Sequence, residues 1–234
     1  RGVYDVMHGV GAHEIIVPTP LHGIDFGDLP VAAVERALAT WVERIVDLQR
    51  DTRFRSFVVT HTRGAPNTPA HAHTQLLAMP VVPHIFHGEW LQARAYHDYR
   101  DRCLFCDLLE QERADVSRVL FDGEHVVAFC PFAGARPFEV WIFPRRHAAR
   151  LPAVTATERG ELAHALRSVC QRIDAVLGVP PYSLTLHQAP CGEDGNPACH
   201  WHLELVPRLA LPALAPVDGG LPINPVAPED AARF

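Results

Sequence analysis

His71-Ala-His73-Thr-Gln75-Leu-Leu-Ala-Met79 is the stretch on which the reading of this chain turns. On an extended strand alternate residues share a face, so His71, His73 and Gln75 form a row of three polar groups. Apolar residues follow at once, which makes the strand half buried. Polar groups held there without partners would be costly. The pattern recurs near the other end as His200-Trp201-His202-Leu-Glu204. A repeated His-x-His is more specific than a single one.

Around these strands the chain reads as a duplication. Apolar residues at Val31, Val34, Leu38, Trp41, Ile45 and Leu48 predict a helix over 31–49. Leu162, Leu166, Val169, Ile173 and Val176 predict a second over 155–177. Strands are expected over 11–17, 54–62, 71–79, 138–143, 182–187 and 200–206. A hairpin over 118–130 turns at Asp122-Gly123. The segment 84–101 is a helix or an ordered connection. Each half thus runs strand, loop with a histidine, helix, strand, loop, His-x-His strand. His22 maps to His147, His71 and His73 to His200 and His202, and His61 roughly to His187. The expected architecture is α+β, with two tandem units of antiparallel sheet and packed helices over 1–101 and 102–208, and an irregular arm over 209–234. Cys103-Leu-Phe-Cys106 precedes His147 in the second unit, whereas the equivalent place in the first falls before residue 1. The first unit is therefore expected to lack its first strands.

The bulk numbers set bounds. The 234 residues are 48% hydrophobic and 21% charged, ordinary for a chain that buries a core. A net charge of −6 argues against a nucleic-acid partner. No apolar run is long enough to span a bilayer. Of the six cysteines only Cys103 and Cys106 are closely spaced. That fits reduced thiols plus a metal clip rather than a disulfide scaffold; with no signal peptide in view, a cytoplasmic setting is expected.

Taken in order, Thr19-Pro20-Leu21-His22, the His71-x-His73-x-Gln75 strand, Pro137-Phe138-Glu139, Pro144-Arg-Arg-His147, Leu186-His187-Gln-Ala-Pro190 and His200-x-His202 ending in Pro207-Arg208 carry a family pattern. The chain resembles the galactose-1-phosphate uridylyltransferase branch of the histidine-triad superfamily from His13-Glu14 to Arg208. The resemblance implies that His73 attacks the α-phosphorus of a nucleotide sugar and that Gln75 holds phosphate oxygens. A nucleotidyl-histidine then passes the nucleotide to a second phosphate. It implies a homodimer as well.

The residues are compatible with that chemistry. A neutral imidazole is a competent phosphorus nucleophile near pH 7. Hydrolase members of the superfamily carry a third histidine where Gln75 stands. An amide donates a hydrogen bond to phosphate but no proton to a leaving group, which favours transfer over hydrolysis. The plainer alternative is that His73 and Gln75 are satisfied core polar groups. The loop after Thr62, Arg63 and Gly64, with Thr68, is placed to touch phosphate, although its two prolines remove amide donors. The family's Asn stands here as Thr62. Arg145, Arg146, Arg150 and Arg208 either assist with phosphate or are solvated charges.

Cys103 and Cys106 are spaced to share a metal or to form a redox pair. The duplicated layout adds His147 and His200, a Cys2His2 set suited to structural zinc. The resemblance makes His22 and His71 half of a first-unit site whose cysteines are missing. It also offers an alternative iron scheme on Glu89, His187, His200 and His202, competing for His200. The expected function is transfer of a nucleoside monophosphate between a nucleoside-diphosphate sugar and a sugar 1-phosphate. Its rivals are an ADP-sugar or dinucleoside-polyphosphate phosphorylase using the same His73, and a non-catalytic zinc-stabilised nucleotide-binding module.

Overall fold

A computed structural model describes residues 3, 6–64, 71–209 and 222–233. The strands are β1 (Ala12–Ile16), β2 (Ser56–Arg63), β3 (His73–Met79), β4 (Val119–Asp122), β5 (Val126–Phe129), β6 (Val140–Pro144), β7 (Tyr182–His187) and β8 (His202–Pro207). The helices are α1 (Val31–Leu48), α2 (His84–Arg100), α3 (Leu104–Asp115), α4 (Ala156–Leu177) and α5 (Pro228–Arg233). No helix among the described residues is long and apolar enough to cross a membrane.

All eight strands form one antiparallel sheet in the order β1-β3-β2-β7-β8-β6-β5-β4. The duplication is literal: β1-α1-β2-β3 repeats as β6-α4-β7-β8. The two copies join where β2 pairs with β7, from Thr60 opposite Thr185 to Arg63 opposite Tyr182. The hairpin β4–β5 extends the second copy's far edge. Among the described residues β1 has no such neighbour and forms the other edge.

Both long helices cover the same face of the sheet. Val34, Leu38, Trp41 and Ile45 of α1 and Leu162, Leu166, Val169 and Ile173 of α4 share one core with Val59, Leu76, Ala78, Leu184, Leu186, Leu203 and Leu205. These are the alternate residues of β2, β3, β7 and β8, so the opposite alternates face away from the helices. Over the second copy that other face is covered by α2 and α3, with Ala93, Phe105 and Leu109 packed on Val127, Phe129 and Phe143. Helix α2 lies before the expected boundary at 101 yet packs with the second copy. Over β1, β3 and β2 that face is unevenly covered: Ile15 is exposed and Gln75 and Leu77 are half-buried, whereas His73 and Thr62 are buried.

Helix α4 begins with a capping box, in which Thr155 and Glu158 bond each other's backbone amides. Arg146 clamps the same Glu158 at 2.7 and 2.9 Å. This pair holds the Glu158 carboxyl down at about 2 against its burial. A depressed carboxylate contributes stability that is present above its ordinary pKa of 4.5 and is lost as the pH falls toward 2. Thermal melts of Glu158→Gln are thus expected to show a shallower loss between about pH 5 and 3 than wild type. Parallel acid limbs would contradict this.

The segment expected to be an irregular arm contains α5, anchored by buried Ala231 and by Glu229 bonded to Arg118 at 2.6 Å. Arg118 is itself buried against Glu112 at 2.8 Å. Residues 210–221 of that arm lie outside the described residues.

Candidate active site and metal-ligand clusters

Strand β3 begins at His73, so His71 precedes it rather than standing in the same row. The two histidines are linked locally instead. His73 Nδ1 lies 2.8 Å from the His71 carbonyl oxygen. A carbonyl only accepts, so Nδ1 carries the proton and Nε2 keeps its lone pair. His73 is largely buried and paired with Thr62 across to β2. Thr60, Thr62, Ser183 and Thr185 share its face of the sheet, as does half-buried Gln75, two residues along β3. The Gln75 Oε1 atom meets His13 Nε2 on β1 at 3.1 Å.

Behind this face is a buried polar network that the sequence did not suggest. Asp25 accepts from His61 Nε2 at 2.8 Å and from the Tyr182 hydroxyl at 2.9 Å. His61 Nδ1 reaches Thr74 Oγ1 at 3.1 Å. Burial opposes ionisation of Asp25, but His61, Tyr182 and the Phe26 amide outweigh it and lower its pKa. The network ties β2, β3 and β7 together beside His73. It also corrects the rough equivalence of His61 with His187. In register, His187 pairs with His202 and Thr62 pairs with His73, so Thr62 is the true counterpart. A one-residue offset places His61 on the helix face and His187 on the other.

Arg63 is taken up elsewhere. Its guanidinium bonds Asp174 and the Pro180 carbonyl and stacks on Tyr182 at 4.5 Å, so it does not stand beside His73. Gly64 adopts φ +64°, where a Cβ would also press on Pro181 at 3.3 Å. Thr68 lies outside the described residues. Arg146 serves Glu158, Arg145 bonds the Gly123 carbonyl, and Arg150 is buried against Asp194. Arg150 is therefore not a solvated surface charge.

The second copy keeps the local geometry and changes the chemistry. His202 Nδ1 lies 3.1 Å from the His200 carbonyl, as His73 does from His71. Its Nε2, however, is buried, with Glu204 Oε1 3.5 Å away. Its ring is stacked on Phe143 at 4.3 Å and His187 at 4.9 Å. Glu204 occupies the place of Gln75, and a carboxylate repels phosphate where an amide donates to it.

Two groups of side chains have metal-ligand spacing. Cys103, Cys106, His147 and His200 bring one donor atom each within 4.8 Å of one another. Cys103 caps α3 and Cys106 sits in its first turn, a helix the sequence reading did not anticipate. His147 follows β6 and His200 precedes β8. Cys106 Sγ is 3.5 Å from Nδ1 of both histidines. A tetrahedral ion with bonds of about 2.3 Å to sulfur and about 2.0 Å to nitrogen needs an S···N edge of roughly 3.5 Å. The set fits. Hydrogen bonding from Cys106, aided by His147 and His200, also pulls the Cys103 thiol far down.

The second group is Glu89, His187, His202 and Glu204, so it does not compete for His200 as the iron scheme requires. His187 lies between Glu89 at 2.6 Å and Glu204 at 3.3 Å. Burial works against the charged imidazole, yet the two carboxylates raise it to about 10, and the imidazole in turn lowers Glu204. His187 is thus held as an ion pair between two carboxylates, while His202 Nε2 stays buried without a hydrogen bond. In the first copy, His22 Nδ1 and His71 Nδ1 approach to 3.4 Å, and His71 Nε2 meets the Thr19 carbonyl at 2.7 Å. Among the described residues no third ligand group joins them.

A strand-helix-strand-strand unit repeated within one sheet, with His-x-His leading into its last strand, defines a duplicated α+β protein with a polar sheet face. The match of residues 89–211 to the C-terminal domain of galactose-1-phosphate uridyl transferase narrows this. The galactose-1-phosphate uridylyltransferase of Thermotoga maritima is 31% identical over 244 residues, covering 100% of this chain and 76% of that protein. The chain belongs to the galactose-1-phosphate uridylyltransferase family. The ADP-glucose phosphorylase of Arabidopsis thaliana is 28% identical over 96% of this chain, which spans 64% of that relative's length. A solved uridylyltransferase superposes with a TM-score of 0.92 at 28% identity, over 100% of this chain and 76% of its own. An Arabidopsis ADP-glucose phosphorylase solved with bound ADP-glucose gives 0.85 at 27%, over 95% and 72%.

Proposed function

We propose that the chain moves a nucleoside monophosphate from a nucleoside-diphosphate sugar to a sugar 1-phosphate through a covalent adduct on His73. The observation that carries this is the His73 Nδ1 contact with the His71 carbonyl, which leaves the Nε2 lone pair unprotonated on the face that also carries Gln75. In the first displacement Nε2 bonds the α-phosphorus and the bond to the bridging oxygen breaks, releasing the sugar 1-phosphate. Nδ1 keeps its proton, and the His71 carbonyl stabilises the positive charge that the ring acquires. In the second, a phosphate oxygen of the acceptor takes the phosphorus back and the imidazole returns neutral. Gln75 donates to the phosphate oxygens and offers no proton to water, which favours transfer. The second copy, with Glu204 in place of Gln75, serves as scaffold. We infer that Cys103, Cys106, His147 and His200 hold a structural zinc there, since a closed Cys2His2 set leaves no position for substrate.

The phosphorylase reading uses the same His73 with inorganic phosphate as acceptor, and the likeness to the Arabidopsis relative over 96% of this chain supports keeping it. Product analysis with labelled UDP-glucose and ADP-glucose, each with galactose 1-phosphate or inorganic phosphate, separates the two. Expected is ping-pong kinetics, with nucleotide moving to the sugar phosphate. Transfer only to inorganic phosphate selects the phosphorylase. Binding without turnover of any pair would contradict both.

A further inference from the structure

We infer that His13 is a positioning residue for Gln75, fixing which end of the Gln75 amide faces the substrate. This rests on the transfer reading above and adds a residue to it. The amide has two unlike ends. Its NH2 donates and its oxygen accepts, whereas a phosphate oxygen only accepts. Gln75 can hold phosphate only with its nitrogen outward, and the flipped amide sets two acceptors against each other. Something must therefore bind Oε1 from the other side. His13 Nε2 does so at 3.1 Å.

The sheet register makes this contact a built one. Ile15 of β1 stands directly opposite Gln75, and His13 opposite Leu77. His13 is thus the diagonal neighbour of Gln75 on the same face, a separation that a long side chain spans. Because Oε1 accepts only, Nε2 of His13 must carry a proton, the reverse of the tautomer required at His73. The two histidines of this face are therefore set differently by their partners.

The second copy supplies the contrast. There Trp141 stands opposite Glu204, so the residue equivalent to His13 is Glu139. Glu139 is buried and cannot donate when ionised; its carboxylate accepts from the Trp141 indole at 2.8 Å. A donor stands at this place only in the copy that has an amide to orient. His13 is exposed on the free edge of β1, so its contact becomes shielded only when a nucleotide covers the face.

The test is the rate at which nucleotide from labelled UDP-glucose or ADP-glucose appears on the protein, in wild type, His13→Ala, His13→Gln, Gln75→Ala and the double variant His13→Ala/Gln75→Ala. Labelling by His13→Ala is expected to be roughly five- to tenfold slower, the scale of one hydrogen bond. His13→Gln, whose amide nitrogen reaches as far as Nε2, is expected to recover most of the loss. In the Gln75→Ala background the His13 change is expected to have no further effect. Equal slowing in both backgrounds, or no slowing at all, overturns the inference while leaving the transfer reading intact. No labelling of wild type by either nucleotide sugar overturns both. Thermal melting of each variant separates misfolding from misorientation, and unfolded His13→Ala beside folded, inactive His13→Gln also counts against it.

Discussion

His73→Ala is expected to abolish nucleotide transfer, lowering kcat on the order of a thousandfold or more while the protein still folds and still binds the nucleotide sugar. The size follows from the two-step route. Without an imidazole the acceptor must displace the leaving group directly, and among the described residues the face holds no second nucleophile positioned to substitute. Thr60, Thr62, Ser183 and Thr185 are neutral hydroxyls, and among the described residues no base is hydrogen-bonded to any of them. The fold should survive because His73 lies on the face away from α1 and α4 and takes no part in the core they share with the sheet. His202→Ala is the matching control. It removes a ring stacked among Phe143, Phe105 and His187, so it is expected to cost stability rather than chemistry. Steady-state rates and melting curves of both variants check this, and a His73→Ala enzyme within tenfold of wild type would reject His73 as nucleophile.

Cys103→Ser is the second large effect. It is expected to remove bound zinc and to destabilise the second copy by about 3 kcal/mol or more, as loss of a structural metal does. The four ligands join the start of α3, the loop after β6 and the residue before β8. Without an ion the two thiols and two imidazoles are left with only weak sulfur contacts to one another, Cys106 Sγ lying 3.5 Å from both Nδ1 atoms. Chelation of wild type should give the same loss in melting temperature and should be additive with nothing in the variant. Cys191→Ser, a half-buried cysteine outside the cluster, is expected to leave zinc content unchanged. Unchanged metal content in Cys103→Ser would reject the ligand set.

Much of the scaffold was legible because its signals are local. The α1 and α4 stripes gave both helices within a residue or two, and Tyr182–His187 has the bounds expected of it. The duplicated order of elements also survived intact. Long-range pairing was not legible. Nothing in the residues of β2 and β7 says that they join the two copies, since strand partners leave no mark in one sequence. His71 falls outside β3 because the chain turns there, letting His73 bond its carbonyl, and periodicity alone does not see such a contact. Helix α3 was hidden by the Cys-x-x-Cys, which reads as a metal clip before it reads as a first turn.

The site was legible in its residue types and not in their partners. The Cys2His2 set followed from spacing and duplication, and its four donors do converge. The role of Arg63 did not follow, because Asp174 and Pro180 are far away in the chain. Nor did the place of His187, which is offset by one residue from the equivalent of His61 and sits on the opposite face. Glu204 stood beside the second His-x-His from the start. Its spacing matches that of Gln75 from the first His-x-His, but its contacts with His187 and His202 show only in the structure.

Most direct is the location of the nucleotide on the protein. Wild type incubated with labelled nucleotide sugar, without acceptor, is quenched at neutral pH, digested and mapped by mass spectrometry. The expected result is one nucleoside monophosphate on the peptide containing His73, removed on adding sugar 1-phosphate. Product formed at full rate with no adduct, or an adduct on His202 or His187 instead, would contradict it.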